Sequence, residues 1–329
     1  MGKSTNQKLV VGIDIGGTKV LAGVVNGEGK VLGTAKRATK PENGVEKVVD
    51  RISKTVFDAV EDAKLQMADI VAVCAGAPGP LDPDRGIIWN APNLGGWENV
   101  PLAELLQQRL RVPVFIENDV NLGTLGEYAL GAGQGARDVV GIFVGTGIGG
   151  GLILDGKLRQ GWRKAAAEVG HMVVLADGPV CGCGNRGCVE ALASRTAIER
   201  DIWAGINAGR ESLIPRIMKR DNRDRLTSGV LAEAYNNGDP LVAEVISRAQ
   251  FYLGILTASV VNFVDPEMVI FGGGVVEALG GGFLEPIRQV AYQYFINKRG
   301  ARDVKIVQAK LGDQAALLGA AVFAQQKLA

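Results

Sequence analysis

Short apolar runs separated by glycine-containing turns open this chain. The run Leu9 to Ile15 stops at Gly16-Gly17, and Lys19 to Val25 resumes it. Asn26-Gly27 then gives a hairpin signal before a third apolar run. Runs of β-branched residues that are bounded by turn residues are typical of strands. The N-terminal segment therefore predicts a three-stranded β-meander.

The same pattern recurs in the second half of the chain. Gly12-Ile13-Asp14-Ile15-Gly16 aligns with Gly141-Ile142-Phe143-Val144-Gly145, and each match is followed by a glycine turn and a further hairpin. A repeated supersecondary unit is a sign of internal duplication. We therefore predict two copies of the β-meander, one in each of two domains.

Apolar periodicity elsewhere predicts alternating helices and strands, which is typical of an α/β protein with parallel strands. Two glycine-rich segments are expected to lack regular structure: a loop over 77–97 and a turn over 145–151. The predicted helices span 44–64, 101–110, 194–207, 242–264 and 314–327, and the predicted strands span 69–75, 114–117, 139–144, 268–271 and 304–308.

Composition and charge restrict the class of protein. Of 329 residues, 36 are basic and 35 acidic, so a formal charge of +1 argues against nucleic-acid or membrane partners held by bulk charge. The polar residues 1–8 lack the apolar core of a signal peptide. The longest apolar stretch, Phe251 to Val264, is shorter than the roughly 20 residues of a membrane span and predicts a buried helix. We expect a soluble, cytoplasmic protein.

The single histidine is followed by three of the four cysteines of the chain. His171 ends the run Glu168-Val169-Gly170-His171, and Cys181, Cys183 and Cys188 follow. Three thiolates and one imidazole form a tetrahedral zinc site of the structural type. The alternative is a group of buried free cysteines near an unrelated histidine. The clustering favours zinc, and a thiolate site fits a reducing cytosol.

A glycine turn follows the first strand of each copy. Gly145 to Gly150 satisfies the pattern G-x-G-x-x-G, but a hairpin follows it, whereas the dinucleotide fingerprint requires a helix. The sequence therefore argues against a Rossmann site. Backbone N–H groups of two glycine hairpins can instead surround phosphates, with Thr18 and Thr146 as additional hydroxyl donors.

Two acids lie at or beside strand ends. Asp14 precedes the first glycine turn, where it is suited to hold Mg²⁺ through water, although an edge-strand acid is the alternative. Asn118-Asp119 follows the strand over 114–117, and ligands of open α/β sheets bind at the carboxyl ends of strands. Asp119 can accept a proton from a substrate hydroxyl, and the pair can equally cap the next helix. Both interpretations of the pair stay open.

Together these motifs resemble those of the ROK family of sugar kinases and transcriptional repressors, over nearly the whole chain. The segment 77–97 also resembles the sugar-side loop of ATP-dependent bacterial glucokinases. The resemblance rests on Asp14 to Lys19, Glu117 to Asp119, Gly145 to Gly151, Glu168 to His171, Cys181 to Glu190 and Gly272 to Gly274.

The resemblance implies an α/β protein with the two-domain actin-like ATPase fold of the hexokinase and ribonuclease H type. The duplicated β-meander units would flank an interdomain cleft. A smaller N-terminal domain would comprise residues 1–119 plus 312–329, because the C-terminal helix returns to it. A larger domain, residues 120–311, would carry the zinc loop. A homodimer or homotetramer is also implied.

The resemblance also implies roles for single residues, with Asp119 as the catalytic base. The implied sugar ligands are Gly76, Asn118, Asp119, Glu168, His171 and Glu190. The implied ATP and Mg²⁺ site comprises Asp14, Gly16, Gly17, Thr18, Lys19, Gly145, Thr146, Gly147, Gly272, Gly273 and Gly274. The implied ligands of a structural Zn²⁺ are His171, Cys181, Cys183 and Cys188.

The activity implied by the resemblance is ATP-dependent phosphorylation of glucose at its 6-hydroxyl. The implied cofactors are ATP, Mg²⁺ and a structural Zn²⁺. Two alternatives stay open. One is a kinase for another sugar, such as fructose, mannose or an N-acetylamino sugar. The other is a sugar-sensing regulator of the same family, against which the near-neutral charge argues because it offers no basic DNA-binding face.

Overall fold

The computed structural model describes residues 8–328, so the N-terminal segment considered as a leader lies, apart from Lys8, outside the described residues. The strands are β1 (Leu9–Ile15), β2 (Lys19–Val25), β3 (Val31–Ala38), β4 (Ile70–Ala77), β5 (Leu81–Asp82), β6 (Ile87–Ala91), β7 (Trp97–Val100), β8 (Val114–Asn118), β9 (Val139–Val144), β10 (Ile148–Leu154), β11 (Lys157–Leu158), β12 (Met268–Gly272) and β13 (Lys305–Gln308). The α-helices are α1 (Val45–Asp62), α2 (Leu102–Leu110), α3 (Asp119–Leu130), α4 (Glu190–Ala193), α5 (Arg195–Asn207), α6 (Ile214–Arg220), α7 (Ser228–Asn236), α8 (Pro240–Val264), α9 (Gly274–Leu279), α10 (Leu284–Tyr294) and α11 (Ala315–Lys327).

Two five-stranded sheets share one topology. The first has the order β3-β2-β1-β4-β8 and the second the order β11-β10-β9-β12-β13. In each sheet the first strand of the meander pairs in parallel with a later strand, which pairs in parallel with the last one. The matching order confirms the predicted duplication and the α/β class.

The expectation of an irregular loop over 77–97 is wrong. This segment contains the three-stranded antiparallel sheet β5-β6-β7. Its apolar positions are spaced too irregularly to give a period-2 signal, yet Leu81, Ile88 and Trp97 are all buried. Tertiary burial therefore outweighs the turn-forming composition of the segment.

The expected glycine turn over 145–151 is also too long, because β10 already begins at Ile148. Glycine serves close packing here rather than turning. A Cβ on Gly150 would lie 2.4 Å from the carbonyl oxygen of Ala167, and a Cβ on Gly151 would lie 2.2 Å from Thr124 Oγ1. Both positions exclude a side chain while the backbone stays extended.

The chain divides into two compact units. The first unit comprises Met1–Gly135, Gly151–Ala166 and Asp313–Ala329, and the second comprises Ala136–Gly150 and Ala167–Gly312. The domain bounds inferred from the sequence, residues 1–119 plus 312–329 and residues 120–311, stay a prediction.

In the first unit, α11 packs against α3 and β1 with backbone nearly touching backbone. A Cβ on Gly12 of β1 would lie 2.1 Å from the carbonyl oxygen of Leu317, and a Cβ on Gly319 would lie 1.7 Å from that of Leu122. Glycine at both positions therefore sets the distance between α11 and its neighbours. This packing fixes Asp313, two residues before α11, close to the first glycine turn.

In the second unit, α8 is the core helix. Among the described residues it alone is long and apolar enough to cross a membrane, but 61% of its most apolar window is buried within the protein. Such burial is typical of the central helix of a soluble protein, as the sequence predicts for Phe251 to Val264.

Replacing Gly319 by alanine should lower the free energy of unfolding by about 1–3 kcal/mol, because the added methyl group pushes α11 away from α3. The loss should occur even though alanine favours helix formation. The matched control is Gly27→Ala, since no atom lies within 4 Å of a Cβ at Gly27. Urea unfolding of both variants checks this, and equal midpoints would contradict it.

Candidate functional site

Three neighbouring parallel strands of the first unit end side by side. Asp14 of β1 lies opposite Gly76 of β4, which lies opposite Glu117 of β8. Asn118 ends β8 and Asp119 begins α3. A Cβ on Gly76 would already lie 3.4 Å from the Cα of Asp119. Glycine at this position therefore allows α3 to begin close to the strand ends, and Asp119 comes near Asp14.

The carboxyl group of Asp14 has an unusual acidity. Burial, and then the nearby Asp119 carboxylate, raise the pKa of Asp14 from 3.8 to about 7, whereas Lys19 lowers it and Asp313 raises it. Removal from water and like charges both disfavour the ionised form. A divalent cation would favour the ionised form of Asp14 and offset the repulsion from Asp119. The carboxylate oxygens of these two residues therefore fit the predicted Mg²⁺.

Asn118 is the N-cap of α3. Its Oδ1 accepts hydrogen bonds from the backbone N–H of Val120 at 2.9 Å and of Asn121 at 3.1 Å. Asp119 Oδ1 also accepts from the Val120 N–H, at 2.9 Å. The capping interpretation of Asn118 is therefore confirmed. The amide N–H₂ of Asn118 remains as its donor toward a ligand, and the role of Asp119 as a base stays a prediction.

The first glycine turn is narrow and ends in an ion pair. The Gly16 N–H donates to the Lys19 carbonyl at 2.9 Å, which closes the turn. A Cβ on Gly17 would lie 2.7 Å from a neighbouring carbonyl oxygen, so only glycine fits there. Thr18 is exposed at the tip, and Lys19 pairs with Asp313. The turn thus presents backbone, a hydroxyl and an ammonium group.

The second glycine turn is held by the start of α5. The Gly145 N–H donates to the Gly147 carbonyl at 2.9 Å, and the Arg195 N–H donates to the Gly145 carbonyl at 2.9 Å. Arg195 Nη2 donates to Thr146 Oγ1 at 2.7 Å, and the Thr196 hydroxyl donates to the Thr146 carbonyl at 2.8 Å. These bonds immobilise the turn before any ligand arrives.

Glu190 connects the second glycine turn to the cysteine cluster. Its Oε2 accepts from the Ile148 N–H at 2.9 Å, and a Cβ on Gly147 would lie 2.4 Å from the same oxygen. Its Oε1 lies 3.5 Å from Cys181 Sγ. Glycine at 147 is therefore needed to admit this carboxylate.

The structure brings His171, Cys181, Cys183 and Cys188 together. Their four candidate ligand atoms all lie within 4.8 Å of one another. Cys181 Sγ lies 3.6 Å from His171 Nδ1, and Cys183 Sγ lies 3.7 Å from Cys188 Sγ. A tetrahedral zinc ion with bonds of roughly 2.3 Å to sulfur requires ligand separations of about 3.8 Å. The donor set and its spacing therefore fit Zn²⁺.

The thiols of this cluster differ in acidity. Burial raises the pKa of the Cys181 thiol to about 12, and it also raises the pKa of the Cys188 thiol. A hydrogen bond from the Asn185 backbone lowers the pKa of Cys183. Because metal ligands must be deprotonated, binding of zinc to this cluster would release protons.

Glu168 and His171 flank the cluster on a 3-10 turn, Val169–His171. The His171 N–H donates to the Glu168 carbonyl at 3.0 Å. A Cβ on Gly170 would lie 1.8 Å from the carbonyl oxygen of Ile148, so this turn packs tightly on β10. Because His171 Nδ1 faces the cysteines, its Nε2 would carry the proton when zinc is bound.

Gly272, Gly273 and Gly274 end β12 and begin α9. Gly273 has φ of +89°, and a Cβ there would lie 2.6 Å from the carbonyl oxygen of Val144. Gly272 lies opposite Phe143 of β9, so this glycine run is adjacent to the strand that leads into Gly145.

Each unit thus gathers one set of the predicted residues. The first unit holds Asp14, the first glycine turn, Gly76, Asn118 and Asp119. The second unit holds the second glycine turn, the Gly272–Gly274 run, Glu168, Glu190 and the zinc ligands. The binding roles of both sets stay predictions.

Three residues that the sequence assigns no role, Glu117, Asp313 and Arg195, contact these sets, and a fourth, Gln160, contacts Glu117. Glu117 belongs to the Glu117-Asn118-Asp119 motif, and its place beside two candidate site residues is the signal in the sequence. Asp313, Gln160 and Arg195 carry no local signal because their partners lie far along the chain, as the Lys19–Asp313 pair does across 294 positions.

The duplicated sheets and these strand-end sites define a two-domain sugar kinase fold of the actin-like type. The structure is similar to that of a ROK family glucokinase from Streptomyces griseus in complex with glucose and AMPPNP, with a TM-score of 0.84 and 39% identity, covering 97% of this chain and 99% of that one.

The chain belongs to the ROK family, whose profile matches residues 10–327. A glucokinase from Thermotoga maritima is 35% identical over 97% of this chain and 98% of its own length. A xylose repressor from Caldicellulosiruptor bescii is 33% identical over 94% of this chain and 76% of its own length. The resemblance stated from the motifs is therefore confirmed.

Raising the pH should destabilise the Mg²⁺-free protein through Asp14. The raised pKa means that the folded state holds a proton that the unfolded state has lost above about pH 4, so the stabilisation is present at low pH and lost as pH rises through 7. Between about pH 5 and pH 8, the free energy of unfolding should fall about 2 kcal/mol further in wild type than in Asp14→Asn. Parallel curves from urea unfolding would refute this assignment.

Zinc content should depend on the cluster. The purified protein should contain about one zinc per chain. Cys183→Ser should lose the metal and melt at a lower temperature, because zinc binding contributes to folding. Gly182→Ala is the control from the same loop, since no atom lies within 4 Å of a Cβ there. Atomic absorption and thermal melting measure both, and full zinc occupancy in Cys183→Ser would exclude this cluster as the site.

Proposed function

We propose that this protein is an ATP-dependent glucokinase, which transfers the γ-phosphoryl group of ATP to the 6-hydroxyl of glucose. The observation that carries the proposal is the placement of Asp119, at the carboxyl end of β8 and near Asp14, in a chain that aligns end to end with a glucokinase bound to glucose and AMPPNP. A carboxylate in that position suits proton transfer from a hydroxyl group.

Asp119 acts as the general base. It accepts the proton of the 6-hydroxyl as the oxygen attacks the γ-phosphorus in line and ADP leaves. Its Oδ1 is held by the Val120 N–H, so the carboxylate is oriented before substrate arrives. Asp14 and its neighbours would hold Mg²⁺, which neutralises phosphate charge when bound.

The glycine turns position the phosphates. Gly16, Gly17 and Thr18 present backbone and hydroxyl groups from the first unit, and Lys19 adds a positive charge. Gly145, Thr146 and Gly147 do so from the second unit, and the Gly272–Gly274 run serves the nucleoside part of ATP. Phosphoryl transfer depends mostly on such positioning and on electrostatics.

Glu168, His171 and Glu190 select the sugar, together with Asn118 and Gly76. With zinc held by the cluster, His171 Nδ1 would be a ligand, and the Nε2–H would then donate a hydrogen bond to a sugar oxygen. Carboxylates that accept sugar hydroxyls penalise an epimer, because a buried acceptor then stays unpaired.

Further observations concern the compartment, the oligomeric state and the partners of the enzyme. A three-cysteine zinc site supports a reducing cytoplasm. Phe263 is 89% exposed and Ile296 is 83% exposed, and the Asn262 side chain bonds the Ile296 backbone. Large apolar side chains that are this exposed support a homodimer or homotetramer. The formal charge of only +1 argues against a nucleic-acid or membrane partner that is held by bulk charge.

Asp119→Asn should reduce turnover at least about 1,000-fold and leave glucose affinity within a few-fold, because the amide keeps the size of the side chain but cannot accept the proton. Release of ADP from Mg-ATP and calorimetric glucose binding measure the two quantities. Asp224→Asn, an exposed site, is the control and should be fully active.

The same assay across glucose, mannose, fructose, N-acetylglucosamine and N-acetylmannosamine tests the substrate. Dominant turnover with glucose supports the proposal. Dominant turnover with another sugar would move the protein to a different specificity in the same family. Sugar binding without ADP release would indicate a regulator and overturn the proposed activity.

A further inference from the structure

Glu117 is a buried carboxylate that the proposed mechanism does not use. It is the second-last residue of β8, and only 2% of its surface is exposed. An acid at such a position is costly unless hydrogen-bond donors surround it. Its donors therefore indicate what it does.

All three donors to Glu117 are amide groups. Oε1 accepts from the Asn118 backbone N–H at 2.8 Å and from Asn121 Nδ2 at 3.0 Å, and Oε2 accepts from Gln160 Nε2. The first two donors lie on either side of Asp119 along the chain. Glu117 therefore fixes the backbone immediately before Asp119 and the first turn of α3 after it.

The side-chain amide of Asn121 is oriented by its hydrogen bond to Glu117. Its Oδ1 is buried, and within residues 8–328 no hydrogen-bond donor reaches it. A flipped amide would place Oδ1 against Glu117 Oε1, two acceptors in contact. Asn121 thus leaves one acceptor unpaired in order to donate to Glu117, at a cost of about 1–3 kcal/mol. An interaction kept at such a cost is a strong constraint on the α3 terminus.

Gln160 connects this corner to two further segments of the first unit. Its Oε1 accepts from Lys164 Nζ at 3.3 Å, and Lys164 pairs with Asp84 at 2.7 Å. Asp84 lies between β5 and β6. The carboxylate of Glu117 is therefore the point at which β8, α3 and the 160–164 segment are joined.

We propose that Glu117 is a positioning residue for Asp119: its carboxylate holds the β8–α3 corner, through Asn118, Asn121 and Gln160, in the geometry that proton transfer requires. The inference rests on the proposed kinase function. Displacement of a catalytic group by about 1 Å costs about 100-fold in rate, so this role affects kcat much more than sugar binding.

Glu117→Ala should lower kcat about 100-fold while the calorimetric Kd for glucose changes less than about threefold. Glu127→Ala is the matched control. Glu127 is also fully buried, and its Oε2 accepts from the Ala132 N–H at 2.8 Å, but it lies near the opposite end of α3. That variant should lose stability and keep the wild-type kcat per folded molecule.

An exchange of charge tests the same role in variants that keep the side-chain volumes. Gln160→Glu places two carboxylates together and should lower kcat about tenfold. The double variant E117Q/Q160E restores the hydrogen bond with its polarity reversed, keeps an oxygen for Asn118 and Asn121, and leaves Lys164 beside a carboxylate. It should recover kcat to within about threefold of wild type, as double-variant coupling requires.

The outcomes separate this role from the proposed function. If wild type releases ADP in a glucose-dependent way and Glu117→Ala keeps the wild-type kcat, the positioning role alone is overturned. If Glu117→Ala does not fold, the other two variants decide. Full activity of Gln160→Glu would overturn the positioning role, and so would a double variant that does not recover kcat. Absence of sugar-dependent ADP release in wild type overturns the kinase function and the positioning role together.

Discussion

The first unit depends on holding two partly buried carboxylates, Asp14 and Asp119, near each other at the carboxyl ends of β1 and β8, which flank β4 in the sheet. Burial, and then the like charge of Asp119, raise the pKa of Asp14 to about 7. The packing that enforces this proximity is backbone against backbone, with glycine at Gly76 and Gly12. α11 packs closely on β1, which carries Asp14, and on α3, which begins with Asp119, and this packing holds the two acids near each other. A bound cation would relieve the repulsion, so the two carboxylates fit the proposed Mg²⁺.

In the second unit, hydrogen bonds hold the glycine backbone of residues 145–148 in one conformation. Arg195 and Thr196 bind the turn from α5, and Glu190 binds the start of β10. Glu190 also lies against Cys181. A metal that orders the cysteine loop would therefore order the second glycine turn as well as the proposed sugar ligands. Rigid backbone N–H groups bind an anion with less loss of entropy than mobile ones.

Much of this architecture could be predicted from the sequence, because strands, turns and the cysteine cluster leave local signals. The β1 and β9 runs and the spacing of Cys181 to Cys188 are examples. Local pattern failed where burial decides the structure, as at Leu81 and Trp97 of the small sheet. It also failed for the Lys19–Asp313 pair, since such contacts depend on how α11 returns to β1 and not on neighbours in sequence.

The duplicated sheets differ at the strand end that carries Asp14 in the first sheet. Asp14 lies opposite Gly76 in the first sheet, and the equivalent pair in the second sheet is Phe143 opposite Gly272. A Cβ on Gly272 would lie 2.7 Å from the Phe143 ring, so this glycine admits an aromatic ring where Gly76 admits the start of a helix. The apolar ring of Phe143 leaves the second sheet without the carboxylate that is proposed to hold Mg²⁺ in the first. One scaffold therefore yields a charged strand end in the first sheet and an uncharged one in the second.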